Sequence, residues 1–422
     1  MLLNSPFENG INHWIRRDMN WRVMVCMSGK MSSITASAPG KCILFGEHAV
    51  VYGHPAVAVA IEQRISVTIK KNNSKSDFWK LDGLKFDPKK HPHIQAIRRR
   101  LWPAELGAPP LSIEISGQIP TASGLGSSAA LSVAASAALR LARGRWFNQL
   151  NHDNKTDFWS EGFSSIIDDT DVHSDDQPNK SIRTGKNGEM VSHFTGEQVV
   201  DVDECALIAH AVEAIAQGGR ASPMDSSTCS HGGVVVLSDV KEQEIEWQYS
   251  RNLKTPEGER EWQIHTVSVP KEEVFLVIGN TGIHAPTSVQ VEKVAKMLEN
   301  HPERMNEIET IGLIARRGLK SLILGDYDAV GRAMSENQFM LQSIGVSSPE
   351  LERLIQAAIP TSLGAKLTGS GGGGCMVALT RNPKATSEAI ELAGGRTIIS
   401  KFGADGLELD EIPDEVFWKF GV

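Results

Sequence analysis

The sequence predicts an α+β protein of two domains. Three observations carry that expectation. The chain has 422 residues, room for two domains at roughly 150 residues each. Its first half interleaves alternating, strand-like runs with a Gly/Ser loop that opens an Ala-rich helical run. Its second half reads as successive helical periodicities set among short apolar strands, the pattern of helices packed on an antiparallel sheet.

Residues 1–32 mix aromatic and basic types (Trp14, Arg16, Arg17, Trp21, Arg22) without the uninterrupted apolar run of a secretory signal. A disordered tail or an over-extended reading frame is expected there, with a membrane-surface or partner-binding arm as the alternative. An N-terminal domain is expected over 33–270. Ser33 to Phe45 and Ala56 to Lys70 read as strand-rich, since Ile34-Thr35-Ala36 and Ile65 to Ile69 alternate apolar and polar residues. His91 to Leu101 reads as a basic helix with Ile94, Ile97 and Leu101 on one face. Leu111, Ile113 and Ile115 mark a strand; the loop Pro120 to Ala130 and a helix to about Ala142 follow. From about 148 to 203 periodicity weakens and Asp168, Asp169, Asp171, Asp175 and Asp176 crowd together, which reads as an acidic insertion, a mobile surface loop. Its carboxylates lack the spacing and fixed glycine of an EF-hand, so a solvated spacer is expected rather than a cation site. Order returns at Ala206 in a helical stretch through Ala209, Val212, Glu213 and Ala216, ending at Gly218-Gly219; a Ser/Thr-rich run, the strand Val234 to Leu237 and a hairpin over Lys241 to Pro270 complete the domain.

A C-terminal domain is expected over 271–422. Val274 to Ile278 reads as a strand. Thr287 to Leu298, Ile308 to Leu324, Tyr327 to Leu341 and Pro349 to Ala358 read as helices. Ala365-Lys366-Leu367 leads into Gly369-Ser370-Gly371-Gly372-Gly373-Gly374, and Cys375 to Leu379 is a strand.

The composition narrows the function classes. A net charge of −8 argues against a general nucleic-acid binder. No apolar run reaches the ~18 residues that span a bilayer, so no membrane partner is expected. Five scattered cysteines, with no CxxC pair, fit reduced thiols in a cytoplasmic protein.

The Gly/Ser loop between strand and helix is a phosphate-binding geometry, because the first N–H groups of a helix are unpaired and lie at its positive end. Walker A, protein-kinase and dinucleotide fingerprints are all missing from the sequence. The run Pro120-Thr121-Ala122-Ser123-Gly124-Leu125-Gly126-Ser127-Ser128-Ala129-Ala130 resembles the second motif of the GHMP kinases, a family of small-molecule kinases. Ala38 to Gly53, with Gly46-Glu47-His48 followed by Ala49-Val50-Val51-Tyr52-Gly53, resembles the first motif in its mevalonate kinase form, and Lys366 to Cys375 resembles the third. Asn280-Thr281-Gly282 with Thr287, and Gly345 to Leu351, are similar to further segments of that branch; Gln217 to Asp225 looks like its archaeal type.

The resemblance implies an N-terminal domain like domain 2 of ribosomal protein S5 and a C-terminal domain of helices on an antiparallel sheet. It also implies transfer of the ATP γ-phosphoryl group to the C5 hydroxyl of mevalonate, in isoprenoid biosynthesis. Asp225 aligns with the catalytic aspartate that takes the hydroxyl proton, and Lys41 with the catalytic lysine beside it. Ser128 and Glu213 align with Mg²⁺ ligands. Lys41, Ala122, Ser123, Gly124, Leu125, Gly126, Ser127 and Ser128 would surround the ATP phosphates, and His48 and Thr287 would meet mevalonate. Members are often homodimers.

Plainer roles stay open for some of these residues. His48 could brace its glycine turn, Glu213 could sit on a wet helical face, and the late glycine loop could be a plain turn. Two rival functions also stand: a GHMP kinase for phosphomevalonate or a sugar, and a non-catalytic ligand sensor on the same fold.

Overall fold

The computed structural model describes residues 33–72, 74–88, 92–102, 110–120, 123–147, 183–184, 190–191, 200, 202–216, 221–255 and 258–409. The N-terminal extension, Ala122, Gly218-Gly219 and most of the acidic insertion, including its aspartate cluster, lie outside the described residues.

The chain opens with two long strands, β1 (Ile34–Phe45) and β2 (Ala56–Lys71), paired antiparallel with Ile34 opposite Ile69. A small hairpin follows, β3 (Phe78–Leu81) and β4 (Leu84–Lys85), then α1 (Pro92–Leu101), β5 (Leu111–Gly117) and α2 (Ser127–Phe147). Two short strands, β6 (Arg183–Thr184) and β7 (Met190–Val191), pair within the insertion. Next come α3 (Val202–Ala216), α4 (Met224–His231), β8 (Val234–Ser238) and the hairpin β9 (Glu246–Thr255) with β10 (Gly258–Val267). These strands form one sheet in the order β4-β3-β5-β2-β8-β10-β9, with β1 also on β2. Only β3 and β5 pair in parallel among these ladders.

Helix α2 lies against β1 and β2. It is not amphipathic: Ala129, Ala130, Val133, Ala134, Ala137 and Ala138 are all buried. A helix apolar on every side belongs in a core, and its many alanines let α1, α3 and the sheet approach closely. Its N-terminus is thereby fixed beneath the Gly/Ser loop.

The second half runs β11 (Phe275–Asn280), α5 (Thr287–Asn300), α6 (Met305–Leu324), α7 (Tyr327–Ser343), α8 (Pro349–Ala358), β12 (Gly364–Thr368), β13 (Cys375–Thr380), α9 (Pro383–Leu392), β14 (Arg396–Lys401) and β15 (Glu408–Leu409). Its antiparallel sheet has the order β12-β13-β11-β14. On α6, Ile308, Ile311, Ala315 and Leu322 turn inward at helical spacing. Asp326 and Ser348 cap α7 and α8 by accepting from Ala329 and Leu351 backbone N–H groups.

Four features depart from the sequence reading. The Ser/Thr-rich run after Pro223 is helix α4, because Ser226 and Ser227 donate to the Pro223 carbonyl and Thr228 to that of Met224. Their hydroxyls are satisfied inside the helix and do not compete with it. Helix α3 begins at Val202, inside the span assigned to the insertion. The β3–β4 hairpin, and α9 and β14 after Leu379, are elements that the sequence does not predict. Finally, β15 leaves the second sheet and pairs with β1, Ala36 opposite Leu409.

Candidate active site

Strand β1 carries Lys41 into the interior, where it is 2% exposed. Its backbone N–H donates to Leu125 O at 2.9 Å, and its ammonium donates to Gly124 O at 2.9 Å. The ammonium also lies 3.0 Å from Asp225 Oδ1. Asp225 stands in the first turn of α4, where the helix dipole favours a carboxylate. Its side chain is 33% exposed. Burial pulls the Lys41 pKa down, but the Asp225 charge and hydrogen bond outweigh it, so the ammonium is held above its ordinary value.

The Gly/Ser loop closes over this pair. Gly124 and Gly126 take φ of 80° and 74°, a region that favours glycine. A Cβ at Gly126 would meet Lys41 Cγ at 3.0 Å, and one at Gly124 would meet Thr368 O at 2.8 Å. Ser123 donates to Pro120 O at 2.7 Å, and Ser127 and Ser128 open α2, so the unpaired first-turn N–H groups face outward beside the loop. Ser128 Oγ donates to Glu213 Oε1 at 3.2 Å. Glu213 is buried on α3, not on a wet face. Burial and the nearby Asp225 charge push its pKa up to about 8, against the pull of Ser128 and Lys41.

The late glycine loop is no free turn. Gly369 packs on the Gly124 backbone, where its Cβ would meet Gly124 Cα at 3.1 Å. His48 Nε2 lies 3.0 Å from Ser370 O. A carbonyl only accepts, so Nε2 carries the proton. Burial, with some help from the Lys366 charge, lowers the His48 pKa to about 4, so the ring is neutral.

Beneath His48 lies a pair that sequence reasoning missed. Glu47 and Lys366 form a buried ion pair. Asn337 donates to the other Glu47 oxygen at 3.1 Å, and Lys366 also donates to Leu367 O at 2.6 Å. Lys366 and Thr368 share one face of β12 and reach Glu47 and the Ile43 N–H, and Ser370, in the loop after the strand, meets His48 through its carbonyl. Both residues stand inside motifs visible in the sequence, but nothing in the sequence pairs positions 319 residues apart.

A cleft of about 670 Å³ joins these groups. Lys41, Asp225, Ser123, Gly124, Gly126, Ser127, Ser128 and Glu213 form its middle. His48, Val50, Ala221, Ser222 and Thr287 line it on one side, and Leu81, Phe86, Ile115 and Ile119 form an apolar region contributed by the β3–β5 side of the sheet. Of the residues singled out from sequence, Leu125 is buried behind the loop and presents its backbone, and Ala122 lies outside the described residues; the others meet in this one cleft.

Residues 93–158 match the family model described as the GHMP kinases N terminal domain, and 318–393 the one described as GHMP kinases C terminal. The chain is 32% identical over 352 residues to the mevalonate kinase of Archaeoglobus fulgidus, covering 83% of this chain and 93% of that one. It is 29% identical over 409 residues to the mevalonate kinase of Pyrococcus furiosus, covering 90% and 99%. The fold is similar to the crystal structure of L. major mevalonate kinase in complex with R-mevalonate, with TM-score 0.59 and 21% identity over 88% of this chain and 95% of that chain.

Proposed function

The chain belongs to the mevalonate kinases of the GHMP kinase family and phosphorylates mevalonate with ATP, and we propose that Lys41 and Asp225 are the couple that carries the transfer. The observation that supports this most is the 3.0 Å contact between them at the floor of the glycine-lined cleft. In-line phosphoryl transfer needs positioning, charge neutralisation and a proton acceptor more than covalent chemistry. Asp225 accepts the proton of the C5 hydroxyl as that oxygen attacks the γ-phosphorus; the bond from γ-phosphorus to the bridging oxygen breaks and ADP leaves. Lys41, kept charged by Asp225, steadies the negative charge that develops.

The phosphates lie across Ser123 to Ser128 at the N-terminus of α2. The apolar side, with Leu81, Phe86, Ile115 and Ile119, takes the adenine. Mevalonate takes the side lined by His48, Val50, Ala221, Ser222 and Thr287.

Mg²⁺ fits the remaining donors. Ser128 Oγ and the Glu213 carboxylate are hard oxygens 3.2 Å apart. A carboxylate whose pKa is raised by burial and by a neighbouring acid is a group that a cation would restore to its charged form. When bound, the ion neutralises phosphate charge. Glu213 and Ser128 would hold it through their oxygens.

Measuring ADP release with mevalonate, phosphomevalonate, galactose and homoserine tests the reading. Turnover with mevalonate alone is expected, and turnover confined to another alcohol would overturn it.

A further inference from the structure

No described residue of the β9–β10 hairpin lines the cleft, yet three of its side chains reach segments that do or that brace them. Trp262, 4% exposed, donates its Nε1–H to Val50 O at 3.2 Å. Arg251 donates its Nε–H to His210 Nδ1 at 2.8 Å. That bond makes Nδ1 an acceptor, so the proton of the neutral imidazole is on Nε2, which donates to Ala221 O at 2.9 Å. Tyr249 Oη lies 2.9 Å from Ser227 Oγ. Ser227 gives its own hydrogen to Pro223 O, so the tyrosine donates. The His210 ring meets Trp262 edge to face, with centroids 6.3 Å apart.

The carbonyls of Val50 and Ala221 belong to two segments of the mevalonate side, and Ser227 sits on the helix that carries Asp225. The hairpin holds Val50 O through buried Trp262 and Ser227 through half-buried Tyr249, while Ala221 O is held by His210 of α3, which the hairpin's Arg251 braces. Its Leu253, Trp262 and Ile264 also pack with Val50, Ala221 and Met224 in one apolar cluster. A buried carbonyl that loses its donor is costly, so such bonds fix a segment's position firmly.

We infer that this hairpin sets the shape of the acceptor side of the cleft, with Trp262, Tyr249 and the Arg251–His210 pair as positioning residues. The inference rests on the proposed placement of mevalonate beside Val50 and Ala221. Trp262 and His210 govern how the acceptor is held, and Tyr249 governs where Asp225 stands.

Two variants that keep an aromatic ring but remove its polar hydrogen test it, with KM for each substrate, kcat and thermal midpoint measured on the full-length enzyme. Trp262→Phe is expected to raise KM for mevalonate about 5-fold while KM for ATP stays within about 2-fold. Tyr249→Phe is expected to lower kcat by about 5-fold with both KM values nearly unchanged. Variants that melt earlier but keep all three kinetic constants would reduce the hairpin to scaffolding and overturn the inference. A rise confined to KM for ATP would overturn it too, by placing the buttressed segments at the nucleotide. A wild-type enzyme inactive on mevalonate would instead refute the reading of the cleft, and the hairpin's role with it.

Discussion

Glu213 is buried beside another acid, with one serine hydroxyl and no basic partner at hydrogen-bonding distance among the described residues. Such a side chain is poorly placed without a cation. Glu213→Gln should therefore raise the Mg²⁺ concentration needed for half-maximal rate while leaving KM for mevalonate unchanged, as a metal titration at fixed ATP would measure. His48 and His210 carry a pH prediction. Burial holds both neutral, His48 at about 4 and His210, with the Arg251 charge adding, at about 3. Below the ordinary value of about 6.5 the unfolded chain binds protons that the folded one refuses, so stability falls with acidification by about 1.4 kcal/mol per pH unit for each ring. The loss begins below about pH 6.5 and ends near the two folded values. Denaturant midpoints between pH 7.5 and 5 should fall less steeply in His210→Gln than in wild type. The groups of the site were legible where motif and chemistry coincide: Lys41, Asp225 and Ser128 each sit in a run whose residue types suit a triphosphate. His210 was not, because a histidine among alanines on a helix gives no sign of an arginine 41 residues away.

The elements were legible wherever one period dominates, as in β1, β2 and the helices of the second half. They failed where side chains override propensity. The serines and threonine of α4 are weak helix formers by type, and the helix holds because their hydroxyls bond to carbonyls within it. Strand β15 is two residues long and its partner lies at the other end of the chain, so no local pattern marks it. The Glu47–Lys366 pair also belongs to this scale, since it ties the turn after β1 to strand β12. Removing one partner leaves the other charged and buried, a loss of about 3–5 kcal/mol; removing both leaves no such charge. Lys366→Met should thus destabilise strongly in chemical denaturation, and the Lys366→Met, Glu47→Gln double variant should recover much of the loss. Equal destabilisation in the two would contradict the pairing.

For the whole molecule, the two helices on either side of residues 148–201 are joined to each other. Arg140 near the end of α2 pairs with Glu204 at the start of α3, Nε to Oε2 at 2.9 Å. The two helices pack directly on one another, so the core does not need the intervening segment to bring α2 and α3 together. Replacing residues 150–199 by a short Gly/Ser linker should leave kcat and both KM values within about 3-fold, since loop length costs little in free energy; lost turnover would show that the segment completes the site. Strand β1, α2 and α4 converge on one cleft, the proposed site of phosphoryl transfer, and Asp225→Asn probes that convergence with the least disturbance. Single-turnover phosphorylation of mevalonate should slow by at least ~10² in this variant while ATP affinity is retained, the scale of a lost general base. A variant that turns over at the wild-type rate would show that the proton leaves by another route and that the Lys41–Asp225 contact is not the catalytic one.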